Sequence, residues 1–164
     1  MIVIIGCGNT NRSDDGVGVW VAQELQRRGV PDRVRVIDAG TGGMDVMFHL
    51  EGARRVILID AAQTGAAPGQ VYCVPGEELA ALPPARNLSL HNFRWEHALA
   101  VGRMIYKDRF PTDISVYLIQ VASLDYGLEL SPAVRAGAEQ VADLIAAEIA
   151  REIAADEGRR TDDE

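Results

Sequence analysis

The chain has 164 residues, 16 Lys+Arg against 24 Asp+Glu for a formal net charge of −8, and 48% hydrophobic content. That length and apolar fraction suit one compact domain with a substantial core. The acidic balance, a pI near 4.9 and the lack of a Lys/Arg stripe argue against nucleic acid and anionic membranes as partners.

The opening run Met1-Ile2-Val3-Ile4-Ile5-Gly6 has no basic flank and is too short for a signal peptide or a membrane helix, so a cytoplasmic protein is expected. Residues 2–5 read as the first of five strands, followed by 34–37, 56–59, 71–74 and 114–119, each apolar and rich in β-branched residues. Most are separated by stretches long enough for a helix, which predicts an α/β fold with a mostly parallel sheet whose carboxyl ends share one edge.

Between the strands, Val17, Trp20, Val21 and Leu25 follow the spacing of a buried helical stripe behind an Asp/Ser-rich start. A second, shorter helix is expected at 44–50 and a third at 93–105, with Ala98, Val101 and Ile105 on one face. Residues 75–86, with three prolines, read as a surface loop with one helical turn. Ser131 at the N-cap and Pro132 at N1 open the last helix, with Val134, Ala138, Val141, Ile145 and Ile149 facing the sheet. The domain is expected to span 1–155, and the charged end, 156–164, to be disordered.

Cys7 and Cys73 form no CxxC pair, which fits a reducing compartment and offers no zinc signature. Cys73 is expected to be a buried small hydrophobe. A nucleophilic Cys7 would need a neighbouring His.

The turn Gly6-Cys7-Gly8-Asn9, followed by Asp14-Asp15-Gly16-Val17-Gly18, joins the first strand to the first helix. Such turns often hold anions, but here the third glycine of a dinucleotide fingerprint is missing and two carboxylates would face the phosphate. Asp14 reads as an N-cap or first-turn acid. Asp15 has company: Asp38 closes the second strand and Asp60 the third, each directly after an apolar run where a charge must be solvated, paired or bound to a cation. Three carboxylates at one sheet edge repel one another, and a metal is the simplest remedy. Of the histidines, His49 lies inside a helix and His97 reads as a satisfied, partly buried imidazole, while His91 stands just before the third helix on a loop able to reach the strand ends. Carboxylates with an imidazole make a site for a divalent transition metal with open positions.

These residues resemble the [NiFe]-hydrogenase maturation endopeptidases, which trim the C-terminus of the hydrogenase large-subunit precursor. The likeness rests on the glycine turn with Asp14-Asp15-Gly16-Val17-Gly18, on Asp38-Ala39-Gly40-Thr41, on Asp60-Ala61, on His91, and on Gly127-Leu128 with Leu130-Ser131-Pro132-Ala133-Val134, and spans residues 1–150. It implies a three-layer α/β/α sandwich around a twisted sheet of five strands, whose edge strand need not be parallel. It also implies that Asp15, Asp60 and His91 bind the metal and that Asp38 is required with them. Nickel already inserted in the precursor would be the recognition signal. The chain departs from the family pattern in having Asp15 where some members carry Glu, Ala39 where Gly is common, and no proline within 120–124. The run Phe93-Arg94-Trp95-Glu96-His97 reads either as a helix face or as a precursor-contacting patch. Two rival functions remain: a self-contained metallohydrolase of a small substrate, and a non-enzymatic nucleotide- or nickel-binding module.

Overall fold

The computed structural model describes residues 1–79 and 94–161. In chain order the elements are β1 (Ile2–Cys7), a 3₁₀ turn (Ser13–Gly16), α1 (Val17–Arg28), β2 (Val34–Gly40), α2 (Gly43–Leu50), β3 (Arg55–Ala62), β4 (Val71–Pro75), α3 (Gly76–Leu79), α4 (Trp95–Tyr106), β5 (Asp113–Gln120) and α5 (Pro132–Thr161). All five expected strands form one sheet, in the order β2-β1-β3-β5-β4. Strands β2, β1, β3 and β5 are parallel and the edge strand β4 runs antiparallel to β5.

Period-two alternation divides the core between two layers of helix. Ile2, Ile4, Ile57, Ile59 and Ile119 pack against Val17, Val21 and Leu25 of α1 and against Val134, Ala138, Val141, Ile145 and Ile149 of α5. On the other face Val3, Ile5, Val56, Leu58 and Val116 meet Val46 and Leu50 of α2 and Trp95, Ala98 and Leu99 of α4. The fold is thus the expected α/β/α sandwich. No helix among the described residues is long and apolar enough to cross a membrane.

Several expectations are corrected. The stripe of α4 is Trp95, Ala98, Leu99, Gly102 and Tyr106, at helical spacing from the bulky Trp95 onward, which turns Ile105 outward to 54% exposure. Cys73 is exposed because it lies on the edge strand β4, which the helices leave partly open. The charged end does not fray at 156: α5 runs on to Thr161. Cations at the start of β3 hold its last turns, with Arg55 pairing with Glu148 and Glu152, and Arg54 with Glu152 and Asp156. Residues 162–164 lie outside the described residues, as does the expected loop beyond residue 79, which follows the single helical turn of α3.

Candidate active site

The strand order places β2 and β3 on opposite sides of β1, so the chain changes winding direction there. In doubly wound sheets the crevice at such a switch point, beyond the carboxyl ends of the strands, is where ligands bind. A cavity of about 530 Å³ opens at this position, lined by the end of β1 and the turn that follows it, by residues 40–43 at the end of β2, by Asp15 and Asp60, and by Arg94, Trp95 and His97 around the start of α4.

Glycines let its walls approach. A Cβ on Gly18 would stand 2.2 Å from the Ile59 carbonyl oxygen and 2.4 Å from that of Cys7, so α1 rests directly on the ends of β1 and β3. Gly8, at φ +136°, lies against the Asp15 backbone, where a Cβ would come within 1.9 Å of its carbonyl oxygen. The turn's N–H groups are engaged internally: Gly8 donates to the Gly40 carbonyl at 2.8 Å and Asn9 to Asp15 Oδ2 at 3.1 Å. The glycines therefore serve strand–helix packing, and those two donors are not offered to a phosphate.

Asp14 caps nothing. It is completely buried, and its carboxylate accepts from the backbone N–H groups of Ala122, Ser123 and Ser131 and from the Ser131 hydroxyl, at 2.6–2.9 Å. It ties the 3₁₀ turn to the segment entering α5. Burial alone would raise its pKa, but these hydrogen bonds hold it below the usual carboxylate value. Asp15, the next residue, points the other way and lines the cavity.

Asp60 is 3% exposed. Its Oδ1 accepts from the Ala61 N–H at 2.8 Å, and its Oδ2 accepts from Arg94 Nη2 and from the Trp95 indole Nε1, both at 2.9 Å. Burial pushes its pKa up, with the Asp15 charge adding to the rise, while Ala61, Arg94 and Trp95 pull against it. Burial, together with Asp60 and Glu96, also pushes the Cys7 thiol above its ordinary value, which disfavours the thiolate that a nucleophile needs.

Asp38 stands apart. It pairs with Gly6, whose partner on the other side is Ile59, so Asp38 falls in register with Ile59 and alternation sends Asp60 to the opposite face. Asp38 is accordingly exposed on the α1 side, where Gln23 Nε2 donates to Oδ2 at 3.2 Å and the Gly40 N–H to Oδ1 at 3.1 Å. It lies in an edge strand, two residues before its end, which is why the cost of a charge behind a buried strand does not apply to it. The cavity thus joins two of the three expected carboxylates. His91 lies outside the described residues. His49 is on α2, away from the cavity lining, and His97 accepts the Arg94 N–H on Nδ1 at 3.0 Å, which puts the proton of the neutral ring on Nε2.

Arg94 and Trp95 complete the site in a way the sequence reading missed. Trp95, 6% exposed, is an internal ligand of Asp60 and not an exposed contact patch. The signal that could have found the pairing is chemical: a carboxylate behind a buried strand needs a counter-charge, and the distinctive run 93–97 holds an arginine. Among the described residues, no group of three His, Cys, Asp or Glu side chains is arranged to hold a metal ion. A cation nevertheless suits this pocket. Two carboxylates open on it, a guanidinium already matches one of them, and Glu96 Oε2, 3.6 Å from Arg94 Nε, is buried with no hydrogen bond among the described residues.

Fold and cavity together define a doubly wound α/β protein with a carboxylate site at its switch point. The family model for hydrogenase maturation proteases matches residues 19–148. The chain is 33% identical over 136 residues to the hydrogenase expression/formation protein HupD of Bradyrhizobium diazoefficiens, covering 82% of this chain and 70% of that protein. It is 34% identical over 140 residues to HupM of Azotobacter chroococcum, covering 84% of this chain and 66% of that one, about two thirds of its length. The hydrogenase maturating endopeptidase HybD from E. coli superimposes with a TM-score of 0.79 at 27% identity, over 92% of this chain and 93% of that one. This chain belongs to the hydrogenase maturation protease family, a family of peptide hydrolases.

Proposed function

We propose that this chain removes the C-terminal extension of a [NiFe]-hydrogenase large-subunit precursor once nickel has been inserted, and that Asp15, Asp60 and His91 meet that nickel. The observation carrying this reading is the buried Asp60 sharing the switch-point cavity with Asp15, in a chain of this family.

The metal arrives as part of the substrate, where it supplies Lewis-acid polarisation of a carbonyl or a bound water. The chain's own residues bind and orient. Asp15, on the 3₁₀ turn and backed by the Asn9 N–H, and Asp60, near the end of β3 and backed by Ala61 and Trp95, would present carboxylate oxygens to the metal, with the His91 imidazole as the proposed third ligand. Asp38 would act indirectly: by accepting the Gly40 N–H it helps set the segment 40–43 that lines the cavity, and a proton-accepting role would require substrate to reach it on the α1 side.

The test is the mass of the large subunit after incubation with each variant. Asp15→Ala, Asp60→Ala and His91→Ala are each expected to abolish trimming while the circular dichroism of the folded chain is retained. Trimming at the wild-type rate by His91→Ala overturns the ligand assignment. Asp38→Asn separates charge from shape, and unchanged cleavage removes the Asp38 charge from the mechanism.

A further inference from the structure

Asp60 Oδ2 accepts two donors that differ in kind. The Trp95 indole is part of the core, fixed by the packing of α4 on β1 and β3. Arg94 is not: its side chain is 61% exposed and is held by Asp60 and Glu96, while its backbone is pinned by the N–H bond to His97 Nδ1 and by the Ala98 N–H on its carbonyl. Of the groups on Asp60, the guanidinium is therefore the one free to move without disturbing the fold.

It also has somewhere to go. Arg94 Nη2 is 2.9 Å from Asp60 Oδ2, while its Nε is 3.6 Å from Glu96 Oε2, an oxygen that is buried and makes no hydrogen bond among the described residues. A small rotation of the side chain would convert that contact into a hydrogen bond and release Oδ2 to the cavity. In both positions the guanidinium keeps a carboxylate partner, and the incoming metal replaces it on Asp60, so the exchange leaves no charge stranded.

We infer that Arg94 is a built-in counter-cation that keeps free divalent ions off Asp60 and steps aside to Glu96 when a metal-bearing precursor enters. The inference rests on the cation reading of the preceding subsection. A free dication approaching Asp60 meets a positive charge already paired with the same oxygen and must displace it unaided. A metal held in a precursor has part of its charge neutralised by its own ligands, and contacts elsewhere on the precursor contribute to the displacement. Arg94 thereby makes the site selective for presented metal over free metal.

Titration calorimetry of the chelator-treated full chain with Ni²⁺ near neutral pH tests this without any cleavage assay. Arg94→Ala is expected to bind free Ni²⁺ at least tenfold more tightly than the wild type, whereas Arg94→Lys, which retains the charge, gains far less. In the Arg94→Ala background, Asp60→Asn is expected to abolish the gain, with Asp60→Ser used if the Asn variant fails to fold by circular dichroism. No gain in Arg94→Ala, including no measurable binding by either protein, overturns the inference. If Asp60→Asn weakens Ni²⁺ binding by the wild type and by Arg94→Ala equally, the cation reading stands and only the guard is lost. If it weakens neither, Asp60 is not where the cation lands and both fall.

Discussion

The indole N–H of Trp95 donates to Asp60 Oδ2 at 2.9 Å, across 35 residues of sequence and inside the core. Trp95→Phe keeps most of the buried ring and removes that one donor. Since a hydrogen bond to a charged group contributes about 1.5–3 kcal/mol, urea unfolding is expected to show a loss of that order. No change in the unfolding midpoint would show that Asp60 does not depend on the indole.

Asp60 receives three donors on two oxygens, from Ala61, Arg94 and Trp95. An amide in its place must turn an N–H toward at least one of them. Asp60→Asn is therefore expected to lose about 1–3 kcal/mol of stability as well as function, because one donor is left without an acceptor. Equal stability of the two proteins in denaturant would contradict the donor assignment.

Asp14 works at a distance from the chemistry. Asp14→Ala strands three backbone donors and a hydroxyl and is expected to cost on the order of 3 kcal/mol or more. Its pKa is held below the ordinary 3.8 by hydrogen bonds that outweigh burial, so the folded chain takes up this proton less readily than the unfolded one. The stability it contributes is complete above that ordinary value and is lost as pH falls through the depressed folded value. Urea midpoints followed from neutral to acid pH should fall less steeply for Asp14→Asn than for the wild type, and parallel curves would count against it.

Gly18 is expected to tolerate no side chain. An added methyl meets the carbonyl oxygens of Ile59 and Cys7 at 2.2 and 2.4 Å, both backbone atoms at the centre of the sheet. Gly18→Ala should push α1 away from β1 and β3, carry Asp15 with it, and cost several kcal/mol, about 3 or more. A variant with wild-type melting temperature and processing would show that the close approach is dispensable.

The architecture was legible because its signals are local. Apolar β-branched runs marked every strand, and the spacing of Val134, Ala138, Val141, Ile145 and Ile149 marked the face of α5 that packs on the sheet. The site was legible only in part, because its geometry depends on register, which no short run of residues encodes. Asp38 and Asp60 look alike in sequence, each ending an apolar run, yet a one-residue offset against β1 sends them to opposite faces. Asp14 and Asp15 look equally alike, but the tight turn points one into the β5–α5 connection and the other into the cavity. The counter-charge on Asp60 lies 34 residues away, beyond the reach of any periodicity. The helical end of α5 was missed for the same reason, since the arginines that hold it come from the start of β3.

On the proposed function, this chain cuts a precursor only when nickel is already in it. Incubating the purified chain with nickel-loaded and with nickel-free large-subunit precursor, and weighing the products by mass spectrometry, tests it most directly. A single shortened large subunit is expected from the loaded precursor and an intact one from the other. Equal trimming of both, or of neither, would contradict it.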